Sequence, residues 1–230
     1  MSEKRLLGKR VLVTHADDYM GPPTIELFRE HGAEVIDDRT DLSDPSDPEA
    51  AARIVAAAGE IDVLVANFAA PANLGKMAID MDDETWHRMF DVMVHPLHRV
   101  VRATLPQMVE RRRGKIVVFG SATGLKALEG VSAYSAARSA QVGYVRTAGA
   151  EAARHNVQMN LIAQNFVENP EYFPPAFTET DVFKQLLANG VPIGRLATGR
   201  EDALFALFLA SDESDFFVGQ SIPFSGGWTQ

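Results

Sequence analysis

The sequence predicts one α/β domain built on a mostly parallel, doubly wound sheet. Three observations carry that prediction. Short apolar runs recur without the period-two alternation of half-exposed strands, as expected for strands buried on both faces. Helix-like segments separate them, so strand and helix alternate six or seven times. The chain's 230 residues, 46% of them hydrophobic, suffice for one sizeable core. A closed barrel needs eight strand–helix units, and about seven strands are found.

The elements follow in order. Residues 10–14 read as a buried strand. Pro22 and Pro23 open the first helix, where a missing N–H costs nothing, and Gly32 closes it. Residues 33–37 form the second strand. A polar stretch from Asp38 to Asp47 leads to a helix from near Pro48 to near Gly59. Residues 62–66 are the third strand. The 82–108 region carries two or three helical segments, with Asp82 or Asp83 as the cap. Residues 115–119 are a strand, Ser132 starts a long helix to about Arg154, and 157–163 are a strand. An irregular insertion rich in proline and aromatic residues is expected at about 165–191. A helix at about 200–210 and a strand around 220–223 complete the pattern. The expectation is a single Rossmann-like domain over 1–230, with a mostly seven-stranded parallel sheet and helices on both faces.

The formal charge of -9 argues against nucleic acid and against acidic membrane lipids as partners. The absence of cysteine excludes disulfides, a thiol nucleophile and a cysteine-held zinc. No apolar run reaches the roughly 18 residues of a membrane span, and no export signal is visible, so a cytoplasmic location is expected. The histidines show no metal-ligand spacing, and no metal is expected.

The first strand–helix turn is where such a fold cradles a dinucleotide pyrophosphate on glycine backbone and a helix N-terminus. Here that turn runs from Thr14 to Gly21 and keeps one glycine. Asp17 and Asp18 put negative charge where a pyrophosphate would sit, and Tyr19 places a bulky ring toward the crevice. No cofactor is expected. Asp37 and Asp38, which could hold a ribose, then read as solvated carboxylates, and Arg111, Arg112 and Arg113 as a solvent-exposed run.

Ser121 lies just past a strand, at the carboxyl edge of the sheet where open α/β sheets bind ligands. Tyr134 and Arg138, four apart, share one face of the next helix. A phenol is a weak base at neutral pH, an adjacent guanidinium favours its anion, and arginine stays charged throughout. With Ser121 to hold a substrate oxygen, the three make a general base and an oxygen anchor. An ordinary helix surface remains open on spacing alone. An atypical NAD(P)-dependent dehydrogenase and a non-catalytic small-molecule binder also stay open.

Ser121, Tyr134 thirteen residues on, and Arg138 four beyond that resemble the short-chain dehydrogenase/reductase family. The aromatic Tyr19 in the first turn and Arg138 in place of a lysine make the chain more similar to the halohydrin dehalogenase branch. The resemblance runs from the Val11 strand to Gly226 and Gly227. It implies cofactor-independent closure of vicinal haloalcohols to epoxides, reversible as ring opening by azide, cyanide or nitrite. Ser121, Tyr134 and Arg138 would be catalytic. It implies a halide pocket from Tyr19 and the Gln164, Asn165, Phe166 and Val167 segment, whose backbone N–H groups would cradle the anion as a nest. Better-known members have proline where this chain has Gln164. Phe166, Tyr172 and Phe173 would wall the substrate pocket, while Asn67 and Phe68 would shape the crevice and touch substrate. Some relatives have a longer tail that reaches a neighbouring subunit's site, a contribution expected to be absent or reduced here. The resemblance further implies a homotetramer formed through the helices at about 82–109 and 132–154.

Overall fold

The computed structural model describes residues 4–71 and 75–230. Its sheet has six parallel strands: β1 (Arg10–Val13), β2 (Glu34–Asp37), β3 (Val63–Asn67), β4 (Gly114–Ser121), β5 (Val157–Gln164) and β6 (Ser221–Phe224). Their order is β2-β1-β3-β4-β5-β6. Every segment predicted as a strand forms one, but the expected seventh is absent among the described residues. After β5 the chain makes helices in succession before returning to the sheet edge.

Alternate residues of each strand serve opposite layers, as a pleated sheet requires. Leu12, Leu64, Ile116, Val118, Met159 and Leu161 pack under α2 (Ala50–Ala58), α4 (His95–Arg111) and α5 (Ser132–Ala153). Val11, Val13, Val65, Val117, Phe119 and Ile162 pack under α1 (Gly21–Glu30) and α8 (Gly199–Ala210). Both faces are therefore apolar, which is why the sequence shows continuous runs.

Local signals set the helix ends. Asp82 accepts the Thr85 N–H at 2.7 Å and caps α3 (Asp83–Met93). Pro96 occupies the first turn of α4. Thr198 and Glu201 form a reciprocal capping box at α8. The segment expected to be an irregular insertion contains α6 (Pro175–Thr178) and α7 (Asp181–Gly190). Thr180 caps α7 through the Phe183 N–H, and Phe183 and Leu187 bury one face. That i, i+4 pair and its cap are helix signals hidden among prolines.

Arg112 and Arg113 are exposed as expected, Arg113 reaching Glu60 and Asp62 at 2.8 and 3.6 Å, while Arg111 is partly covered and pairs with Glu60 at 2.7 Å. The expectation for Asp37 and Asp38 is corrected. Asp37 pairs with Arg29 and Arg39. Asp38 is buried, its amide donating to Val13 and its carbonyl accepting from Ala16. No helix among the described residues is long and apolar enough to cross a membrane. No group of three metal-ligating side chains occurs among them.

β4 and β5 pair over their whole eight-residue length, which sets Ser121 beside Gln164 at their carboxyl ends. The candidate site grows from this pair.

Candidate active site

Ser121 ends β4, and the chain turns sharply through residues 122–124. Its Oγ lies 3.0 Å from Thr123 Oγ1 and accepts the Thr123 N–H at 3.2 Å. Thr123, which the sequence reading did not single out, therefore fixes the serine rotamer. Tyr134 and Arg138 lie in the first two turns of α5. Small neighbours such as Ala133 and Ala137, both buried, let this helix seat closely.

Arg138 is 1% exposed, so the alternative of an ordinary solvated helix surface does not hold. Its guanidinium sits 5.0 Å from the centroid of the Tyr134 ring. One terminal nitrogen donates to Phe68 O at 2.9 Å, Phe119 O at 3.2 Å and Gln141 Oε1 at 3.0 Å. Gln141 in turn donates to Met93 O at 2.9 Å. A buried cation held this way keeps its charge. Burial opposes that charge, but the Tyr134 and Tyr172 hydroxyls outweigh it and raise the arginine above its ordinary range. Gln141 is an i, i+3 partner of Arg138 that helical spacing alone could have flagged.

A cavity of about 250 Å³ opens over this triad. Ser121 and Tyr134 line it, as do Gln164, Asn165, Phe166, Val167, Tyr172 and Phe173 from the segment after β5. The structure adds Met20, Asn169, Phe183 and Trp228, which no local motif marked because they come from separate elements. Tyr134 and Tyr172 hydroxyls lie 3.4 Å apart. Tyr172 spends its one O–H on Ala70 O at 2.7 Å, so Tyr134 is the donor in that contact. Burial, then the neighbouring Tyr134, pushes the Tyr172 phenol well above its ordinary value. Tyr172 therefore stays neutral at the side of Tyr134.

Tyr19, Asn67 and Phe68 do not line this cavity. Tyr19 packs against Tyr172 with the rings tilted and their centroids 5.4 Å apart. Burial, and next the Glu171 charge, pushes its phenol up to about 12. Asn67 donates to the carbonyls of His15 and Asp18 at 3.0 and 2.9 Å, and so pins the first turn. Phe68 contributes its carbonyl to Arg138 and its ring to His15. The expected anion nest is also partly spent. The Asn165 N–H bonds Phe224 O, and the Phe166 N–H bonds its neighbour's side chain. The Gln164 carboxamide oxygen is buried without a hydrogen-bond partner, leaving a polar group beside Ser121 for a ligand.

The first turn does not fit a dinucleotide. His15 and Tyr19 keep left-handed backbone, φ 48° and 46°, at positions suited to glycine, but carry rings there. The N–H groups of Ala16, Asp18 and Gly21 are spent on Asp38 O, His15 O and Asp18 O. Burial lowers the His15 pKa, so the imidazole is neutral near pH 7 and brings no positive charge. Asp17 and Asp18 remain largely exposed beside it. A pyrophosphate would meet carboxylates and engaged amides.

The profile of a family described as enoyl-(acyl carrier protein) reductase matches residues 5–229. The chain belongs to the short-chain dehydrogenase/reductase superfamily. Among its relatives in that superfamily is the 3-oxoacyl-[acyl-carrier-protein] reductase FabG of Thermotoga maritima. The two are 30% identical over 97% of this chain and 98% of that one. The 2-keto-3-deoxy-L-fuconate dehydrogenase of Xanthomonas campestris is 31% identical over 98% of this chain and 81% of that one. A solved structure described as a dehalogenation enzyme is 29% identical, superposes with a TM-score of 0.90, and covers 98% of this chain and 100% of its own. The superfamily's sheet and crevice are thus present, with relatives of two chemistries.

Proposed function

We propose that this protein is a cofactor-independent haloalcohol dehalogenase, a lyase that closes vicinal haloalcohols to epoxides. One observation carries the reading: rings at His15 and Tyr19 fill the pyrophosphate turn while Ser121 and Tyr134 line a small apolar cavity with Arg138 buried against the Tyr134 ring. The likeness to the dehalogenation enzyme supports it.

In this reading Ser121 hydrogen-bonds the substrate oxygen and Tyr134, as general base, takes the hydroxyl proton. The alkoxide pair closes on the adjacent carbon as the carbon–halogen bond breaks, and halide departs with that pair. The products are an epoxide, a halide ion and a proton that returns to solvent. The reverse step opens an epoxide with a small anion such as azide, cyanide or nitrite. Arg138 stabilises negative charge on Tyr134 from a fixed position, so little reorganisation accompanies the reaction. The nucleophile is already tethered to its target carbon, so the protein supplies orientation and charge. A homotetramer through α3, α4 and α5 belongs to the same reading, and the half-exposed Trp86 on α3 supports it.

The test is halide release from a vicinal chloro- or bromoalcohol with no nicotinamide present. Tyr134→Phe is expected to lower it by on the order of 10²- to 10⁴-fold. Release no greater than that of Tyr134→Phe across several substrate sizes would sink the reading. The reductase relatives support a second one, an atypical nicotinamide-dependent oxidoreductase. Saturable micromolar binding of NAD(H) or NADP(H), followed by fluorescence, would favour it.

A further inference from the structure

Trp228 walls the cavity from the chain's own C-terminal segment. Three restraints bring the indole in. Gly226 and Gly227 adopt left-handed backbone, φ 59° and 89°. A Cβ on Gly226 would strike the Ile193 side chain at 2.5 Å, so the turn packs there because it has none. Ser225 closes the turn: its carbonyl accepts the Trp228 N–H at 3.0 Å and its Oγ the Thr229 N–H at 3.1 Å. Lys126, from the loop before α5, holds the other side. Its ammonium donates to the Trp228 carbonyl at 2.5 Å and lies 4.5 Å from the centroid of the indole.

The wall is held rather than buried. Trp228 is only partly covered and Lys126 is exposed. The indole meets Phe166 edge-on, centroids 6.1 Å apart. Both bonds to Lys126 come from one flexible side chain, so they are made and lost together. The cavity, about 250 Å³ and open on one side, is below the usual ligand-pocket range of roughly 300–1,000 Å³. The indole is one of the side chains that bound this small space, and it is held there by a single lysine.

We propose that Trp228, latched by Lys126, sets the length of substrate the cavity admits. Trp228 is the specificity-determining residue and Lys126 the positioning residue that keeps the ring in place. The selected class is the short-chain haloalcohol over its aryl-substituted counterpart, which rests on the dehalogenase reading. The size limit itself does not.

Two measurements test this. In a Trp86→Phe background Trp228 is the remaining tryptophan. Acrylamide quenching of its fluorescence is expected to rise at least twofold on Lys126→Met and to return toward the parent value with Lys126→Arg, which keeps cation and donor. Equal quenching in all three overturns the latch. Separately, calorimetry compares binding of a phenyl-substituted and a three-carbon vicinal diol. Trp228→Ala is expected to shift the affinity ratio at least tenfold toward the phenyl diol, and Trp228→Leu less. A ratio unchanged in both variants, with native circular dichroism, overturns the size limit. If the intact protein releases no halide but both measurements come out as expected, the dehalogenase reading falls and the wall stands.

Discussion

Asp202 in the first turn of α8 is fully buried, and neither carboxyl oxygen has a hydrogen-bond partner. Desolvation alone pushes its pKa up to about 8, from the ~3.9 of a free aspartate. Between those values the folded state keeps the proton and the unfolded chain releases it. The folded state then binds more protons, so stability falls as pH rises through this window. At about 1.4 kcal/mol per pKa unit, the loss approaches ~6 kcal/mol by pH 8 as an upper figure, a large share of a typical ~5–15 kcal/mol. Asp202→Asn keeps the shape and cannot ionise. Urea denaturation at pH 4 and pH 8 is the assay. The variant and parent are expected to differ little at pH 4, and the variant to gain several kcal/mol relative to the parent at pH 8. A difference independent of pH would refute the buried-proton argument.

Two further outcomes follow from the site. Arg138→Lys shortens the side chain and removes the planar guanidinium that faces the Tyr134 ring and whose terminal nitrogen reaches Phe68, Phe119 and Gln141. It is expected to lose about 2–4 kcal/mol of stability, on the order of 10 °C in Tm, and at least tenfold in halide release, measured by calorimetry and ion assay; unchanged values would remove its assigned role. Tyr172→Phe frees the Ala70 carbonyl and the partner of Tyr134. It is expected to cost about 1–3 kcal/mol in a denaturant titration while impairing halide release less than Tyr134→Phe. A loss equal to that of Tyr134→Phe would make Tyr172 itself the base.

The sequence by itself determined the α/β class and the positions of all six strands, because buried parallel strands are apolar throughout and helices between them announce their caps. It also determined Ser121, Tyr134 and Arg138 as a set, since offset and helical spacing are local properties. The filled first turn was legible too, because glycine's absence is read directly from residues 14–21. Tertiary structure decided what faces what. Tyr19 looked like a pocket residue, yet it packs against Tyr172, which lines the cavity in its place. Asn67 looked like a substrate contact and is spent on two backbone carbonyls. Thr123, Gln141 and Trp228 gained their roles through a strand end, a buried cation and a C-terminal turn meeting at one place. The physical reason is range: propensity, capping and periodicity act over a few residues. The cavity instead joins side chains more than 200 residues apart, from Met20 to Trp228, whose meeting depends on how the layers pack.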